Sequence, residues 1–285
     1  MKDDTFTIHT IRTIDHCAGY PTPTFLASLA SHSRCVEPFE VFLGAAFSEL
    51  SIKLAGAHAD WTIVLNSHVA PATWIEQCSK KLVIVYNTEV ESTWSGAYRG
   101  LMNRAHAVWH YSSAYTFGNN PSYVPLWLPA AGQKPRLHGP ERSVSMGFYG
   151  SLNNRRMRVL ADAGITNVAT FGTYGRALED YVQNCSAIIS PQYYEGAPVC
   201  HARIMQALSF GCQVLSEDGP DSEDFPGVYF ASYDRLAECA KLITSGNARL
   251  RADSIASRVP STPMAGTAHL KESRFELLKQ ALKSL

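Results

Sequence analysis

Between Met146 and Glu217 the chain repeats one short theme: an apolar, strand-like run stops in glycine and polar residues, and a helix-compatible segment follows. The run Met146-Gly-Phe-Tyr ends in Gly150, Ser151, Leu152, Asn153, Asn154, Arg155 and Arg156, and the run from Val168 ends at Phe171, Gly172, Thr173, Tyr174 and Gly175. A third, Ala187 to Gln192, leads through Tyr193, Tyr194, Glu195, Gly196, Ala197 and Pro198 into a helix bearing His201, Arg203 and Gln206, and then the strand Gln213 to Glu217. Strand alternating with helix builds a parallel sheet, and open sheets of this kind bind ligands beyond the carboxyl ends of their strands. The pattern predicts an α/β domain that holds an anionic, hydroxylated ligand at that edge.

The first half carries the same rhythm. Strands are expected near Thr5 to Thr13, Val41 to Leu43, Thr62 to Leu65, Leu82 to Tyr86 and Ala107 to Tyr111, with helices at Pro71 to Ser79 and Gly96 to Ala105. The stretch Ser122 to Arg142 breaks it with Pro125, Pro129, Pro135 and Pro140, which reads as an interdomain linker. A chain of 285 residues accommodates two cores. The division expected is an N-terminal Rossmann-like domain at 1–130, a linker at 131–142, a second Rossmann-like domain at 143–267, and a C-terminal helix at 268–285 able to pack back on the first domain. The helix presents Phe275, Leu277, Leu278, Leu282 and Leu285 at near-helical spacing. The fold class is therefore α/β, with two doubly wound domains facing a cleft.

Charge narrows the function. Twenty-five basic and 25 acidic side chains cancel, which argues against broad nonspecific binding to nucleic acid or anionic membranes. No apolar run is long enough for a membrane span, and the acidic start, Met1 to Thr5, is unlike a signal peptide. Seven scattered cysteines without a CxxC pair suit a reducing cytoplasm better than a disulfide framework or a zinc site. There is no GxGxxG after the first strand, no GxxxxGK[ST], no GxSxG and no HExxH, so dinucleotide oxidoreductase, P-loop, α/β-hydrolase and zinc-protease readings lack their signatures.

The order and spacing of several segments resemble the two-Rossmann-domain glycosyltransferases of the GT-B architecture, and among them the branch akin to the spore-maturation CgeB-type proteins. The matching residues are Phe148 to Ser151 with Arg155 and Arg156, Tyr174-Gly175, Ile188 to Pro191, Arg203 to Leu208, and Gly211 with Val214 to Glu217. In the first half, Val85 to Glu89, Val108 to Ser112 and Tyr123 to Pro125 match the same group. The resemblance implies that the second domain binds a nucleoside diphosphate sugar, that the first binds a hydroxyl acceptor, and that no metal or other cofactor is needed. Helix N-termini and basic side chains would neutralise the leaving diphosphate. Related enzymes often place a glutamate five residues before the helix-ending glycine to grip the donor ribose; here that position is Gln206, and Glu195 or Glu217 is a substitute.

The donor-binding candidates are thus Gly150, Ser151, Asn153, Arg155, Arg156, Gly172, Tyr174, Glu195, Gly196, Ala197, Pro198, His201, Arg203 and Gln206. Gly150, Ser151 and Asn153 would cradle phosphate or sugar, the plainer alternative being a helix N-cap turn. Arg203 is assigned to the diphosphate and His201 to a hydrogen bond with it, against a surface arginine and a capping histidine. Arg158 reads as solvated. If the reaction inverts the anomeric centre, a base must deprotonate the acceptor; Asp15, His16 and Glu89 are the candidates, with His68 behind them. The acceptor stays open among glycan, protein, small molecule and nucleic acid. Alternatives are a noncatalytic nucleotide-sugar or glycan-binding module, a DNA-modifying glycosyltransferase, and a nucleotide-sugar epimerase.

Overall fold

The computed structural model describes residues 27–30, 42–43, 46, 61–65, 82–128, 143–170, 173, 175–245 and 268–284. The chain forms two compact units: Met1–Trp127 together with Leu270–Leu285, and Leu128–His269.

The first unit holds a five-stranded parallel sheet in the order β1 (Ala27–Ala30), β2 (Trp61–Leu65), β3 (Leu82–Asn87), β4 (Ala107–His110), β5 (Pro121–Tyr123). Strand alternation sends Val83, Val85 and Val108 to the face covered by helix α1 (Gly96–Arg104), where they pack with Tyr98, Leu101 and Met102. Ser95 caps α1 by accepting from the Tyr98 amide, the preferred role for serine there. The terminal helix α6 (Ala268–Lys283) belongs to the same unit: Arg274 donates to the Leu126 carbonyl, and Phe275 meets Trp127 edge-on at 5.3 Å.

Three local expectations change. Phe42 and Leu43 are helical rather than part of a strand, because a three-residue apolar run carries no period of its own. Ala27–Ala30 is a strand despite small side chains with little β preference. Pro121–Tyr123 forms an edge strand instead of opening the linker, and the sheet edge is where a proline is tolerated. The expected strand at Thr5 to Thr13 and helix at Pro71 to Ser79 lie outside the described residues.

In the second unit the chain runs β6 (Val144–Gly150), α2 (Asn154–Ala163), β7 (Val168–Thr170), α3 (Arg176–Gln183), β8 (Cys185–Ser190), α4 (His201–Ser209), β9 (Gln213–Glu217), β10 (Tyr229–Ala231), α5 (Tyr233–Thr244). Its parallel strands are ordered β7-β6-β8-β9-β10. Met146, Phe148, Ala187, Ile189 and Leu215 point to one face, where α2 contributes Val159 and Leu160 and α5 contributes Leu236, Cys239, Ala240 and Ile243. The intervening residues face α3 and α4: Tyr181 hydroxyl lies against Gly147, and Tyr149 hydroxyl donates to the Arg203 carbonyl at 3.0 Å. Helices thus cover both faces, and the order reverses at the β6/β8 junction, the switch point where two adjacent crossovers leave in opposite directions and open a crevice.

Candidate functional site

Six of the fourteen donor-site candidates, Gly150, Ser151, Asn153, Arg155, Arg156 and Arg203, gather around the ends of β6 and β8 at that switch point. Strand β6 ends at Gly150 with φ +121°, a backbone state that favours glycine, and a Cβ there would lie 2.7 Å from Arg203 Nη2. The glycine lets the Arg203 guanidinium approach the strand end. Arg203 is buried on α4, where Nε donates to the Tyr149 carbonyl at 3.0 Å and Nη1 to Ser190 Oγ at 3.1 Å. Its Cζ lies 4.9 Å from the Phe148 ring centroid.

Arg156 reaches the same place from α2. Its Nε donates to the Pro191 carbonyl at 2.9 Å and its Nη1 to the Ser151 carbonyl at 2.8 Å, with Cζ 5.1 Å from the Tyr193 ring centroid. Burial, with the Arg203 charge adding to it, pulls Arg156 down to about 9, so it is still a cation at neutral pH. Among the described residues neither Arg156 nor Arg203 forms an ion pair with a carboxylate.

Arg155 is different. It makes a two-pronged pair with Glu217, donates to the Gln192 carbonyl at 3.1 Å, and lies 3.9 Å from the Tyr233 ring centroid. The Glu217 hydrogen bond raises its affinity for its proton. Glu217 also accepts from the Gln192 amide at 2.9 Å, which leaves it holding the strand end.

Asn153 is the N-cap of α2, with Oδ1 accepting from the Arg156 amide at 2.9 Å and Nδ2 donating to the Tyr193 carbonyl at 2.8 Å. Its side chain is committed to those partners. Ser151 contributes its carbonyl to Arg156. Glu195 and Gly196 are exposed at the turn before α4, Gly196 with φ +67°, while Ala197 is half-buried and Pro198 buried. Gln206 is half-buried on α4, and Arg158 is exposed. Gly172 and Tyr174 lie outside the described residues.

His201 opens α4 with Nε2 2.8 Å from Asp221 Oδ2, and the other Asp221 oxygen accepts from the Val199 amide at 2.8 Å. Phe225 meets the imidazole edge-on at 4.5 Å. The pair therefore pins the loop before α4 to the start of that helix. Asp224 places a third donor atom within 4.8 Å of theirs, the sole such His/Cys/Asp/Glu group among the described residues.

In the first unit, Glu89 follows β3. Burial pushes its carboxyl up from 4.5 to about 7, the range of a general base at neutral pH. Its backbone is held by a network that the sequence did not reveal: the Glu89 amide and the Tyr98 hydroxyl both donate to Asn87 Oδ1, at 3.2 and 3.1 Å. Asn87 Nδ2 sits 3.2 Å from His110 Nδ1, and His110 Nε2 sits 2.7 Å from the Phe117 carbonyl. A carbonyl only accepts, so the proton is on Nε2 and Nδ1 accepts from Asn87. Burial lowers the His110 pKa, in keeping with a neutral ring. Asp15, His16 and His68 lie outside the described residues.

Sequence reading gave no role to Tyr149, Ser190, Gln192, Asp221 or Tyr233, although Tyr149 and Ser190 lie in matched segments and Gln192 follows Pro191 at a strand end. No helix among the described residues is long and apolar enough to cross a membrane. Neither a protein-family profile nor a curated protein sequence matches the chain. Among solved structures the fold is similar to an α1,3-fucosyltransferase, with TM-score 0.53 and 10% identity covering 95% of this chain and 93% of that one. It is similar to an α1,3-fucosyltransferase with GDP-fucose at TM-score 0.52, 10% identity, and 95% and 94% coverage. TarM matches at TM-score 0.51 and 10% identity over 79% of this chain and 54% of that one. The chain has the GT-B fold, with a parallel α/β sheet in each of its two units.

Proposed function

We propose that the protein is a glycosyltransferase of the CgeB-type branch that moves a hexosyl or related sugar from a nucleoside diphosphate sugar to a hydroxyl acceptor without a divalent metal, acting in the cytoplasm. The second unit holds the donor and the first holds the acceptor. The observation that carries this reading is the Arg156 and Arg203 pair: two buried guanidiniums at the switch point, both bonded only to neutral oxygens in the contacts above. A buried cation is costly unless a counter-charge or a full set of hydrogen bonds offsets it, and a diphosphate supplies a counter-charge that two planar forks can grip.

Those fixed cations do the work that a metal does elsewhere: they neutralise charge developing on the leaving diphosphate, in a site whose donors are already oriented. The N-terminus of α4 adds its dipole. Glu89 is the base that takes the acceptor proton, which implies inversion at the anomeric carbon.

Thermal stabilisation by UDP, GDP, dTDP, ADP and CDP, with and without magnesium, tests the donor assignment. GDP-fucose joins the panel because a protein of similar fold was solved with it. One diphosphate is expected to stabilise selectively and without magnesium, by about 2.7 kcal/mol at a hundredfold excess over its Kd. Arg203→Ala is expected to abolish that shift with the fold intact. No shift with any diphosphate overturns the proposal, and binding without transfer to any acceptor leaves a noncatalytic nucleotide-sugar module.

A further inference from the structure

Three consecutive residues at the end of β8 each receive one arginine. Ser190 Oγ accepts from Arg203, the Pro191 carbonyl from Arg156, and the Gln192 carbonyl from Arg155. Each of these oxygens is matched. The side chain of Gln192 is not: the residue is 3% exposed, its Nε2 donates to the Asp218 carbonyl at 3.1 Å, and its Oε1 is buried without a hydrogen-bond partner among the described residues.

The carboxamide cannot turn to repair this. Swapping its ends would set Oε1 against the Asp218 carbonyl, acceptor facing acceptor. Rotation is also limited, because Gly219 packs so closely that a Cβ there would lie 2.8 Å from Gln192 Nε2. The backbone amide of Gln192 is held by Glu217, so the residue is fixed at both its main chain and its side chain. A rigid, buried, unmatched acceptor on the residue after Pro191, whose carbonyl accepts from Arg156, calls for a ligand group that donates a hydrogen bond beside the arginine cluster.

We propose that Gln192 Oε1 accepts a hydrogen bond from a hydroxyl of the bound nucleotide sugar, which makes Gln192 a specificity-determining residue of the donor site. This rests on the donor-site reading above. The hydroxyl belongs either to the ribose or to the transferred sugar, and both present the same chemistry.

Calorimetric titration of the full-length protein with inorganic pyrophosphate, GDP, UDP, GDP-fucose and UDP-glucose distinguishes these cases. Gln192→Met keeps the length of the side chain and removes the acceptor. It is expected to bind pyrophosphate as the wild type does and the hydroxyl-bearing ligand ~3–10-fold more weakly. Weakened GDP or UDP assigns the hydroxyl to the ribose; weakening of the nucleotide sugar alone assigns it to the sugar.

Wild-type affinities in Gln192→Met, as when a water matches the oxygen, overturn the proposal. So does an equal loss of pyrophosphate, the mark of a residue that only holds the loop. Either result leaves the diphosphate reading standing, whereas a wild type that binds none of these ligands removes both.

Discussion

Replacing Glu89 by Gln should stabilise the first unit in a strongly pH-dependent way. Burial holds the Glu89 carboxyl up, from 4.5 to about 7, so ionisation is harder in the native protein than in the unfolded chain. The native pKa is the higher one, so the group costs nothing below the unfolded value, its cost grows as the pH climbs toward 7, and it is in full force above. At 1.36 kcal/mol per pKa unit, and with some water reaching a half-buried side chain, the cost above pH 7 is about 2–3 kcal/mol. Glutamine has nearly the same shape and no charge to desolvate. All five tryptophans, Trp61, Trp74, Trp94, Trp109 and Trp127, lie in the first unit, so urea unfolding followed by tryptophan fluorescence isolates it. Glu89→Gln is expected to match the wild type near pH 4.5 and to exceed it by that amount at pH 8. In transfer assays the same variant is expected to lose turnover and keep diphosphate binding, and wild-type kcat/KM is expected to fall tenfold per pH unit below about 7. A stability gap that does not vary with pH would refute the buried-carboxyl account, and transfer by Glu89→Gln at the wild-type rate would remove its role as base.

Three substitutions probe the second unit, where the lack of tryptophan makes far-UV circular dichroism the better monitor. Gly150→Ala forces a side chain onto a φ of +121° and into Arg203; it is expected to destabilise by about 1–3 kcal/mol and to weaken diphosphate binding at least ~10-fold by displacing that guanidinium. A stable variant with unchanged binding would show that the close approach is incidental. Arg155→Met strands the buried Glu217 carboxylate and is expected to cost about 3 kcal/mol, while adding Glu217→Gln should recover part of that loss, with simple additivity of the two costs as the disproof.

The alternation of strand and helix was legible in the second unit because each strand there ends in residues that cannot continue it. Gly150, Ser190-Pro191 and Glu217 punctuate β6, β8 and β9, and α2 buries Arg156, Val159 and Leu160 at helical spacing. The first unit gave less. Val41 to Leu43 was too short to show a period, and Ala27–Ala30 lacks the branched side chains that mark a strand. Strand order was not legible anywhere, since the β6–β8 pairing joins residues 41 positions apart at Met146 and Gly147. The site followed the same division. Arg156 and Arg203 stand out as basic residues beside strand ends, but Asn87 and His110, 23 residues apart in sequence, come together only through the pairing of β3 with β4.

In the proposed donor site, the charge of the three arginines around β8 matches a diphosphate better than a singly charged anion. Burying a guanidinium costs several kcal/mol unless a counter-charge or a full set of hydrogen bonds offsets it. Glu217 neutralises Arg155 and holds the Gln192 amide, so of the two substitutes for the ribose grip, Glu195 and Glu217, it is the one already engaged by other partners. Arg156 and Arg203 receive only neutral oxygens, so the local charge of this arginine cluster and Glu217 is near two positive units, matched to a ligand with two or more negative ones. A third unpaired arginine would raise that charge to three positive units and tighten the hold on a diphosphate product. Pairing all three would leave only the α4 dipole to stabilise the leaving group. The Arg155–Glu217 pair therefore sets the charge of the site as well as the position of the β8 end, and a neutral substitution at Glu217 acts on both at once.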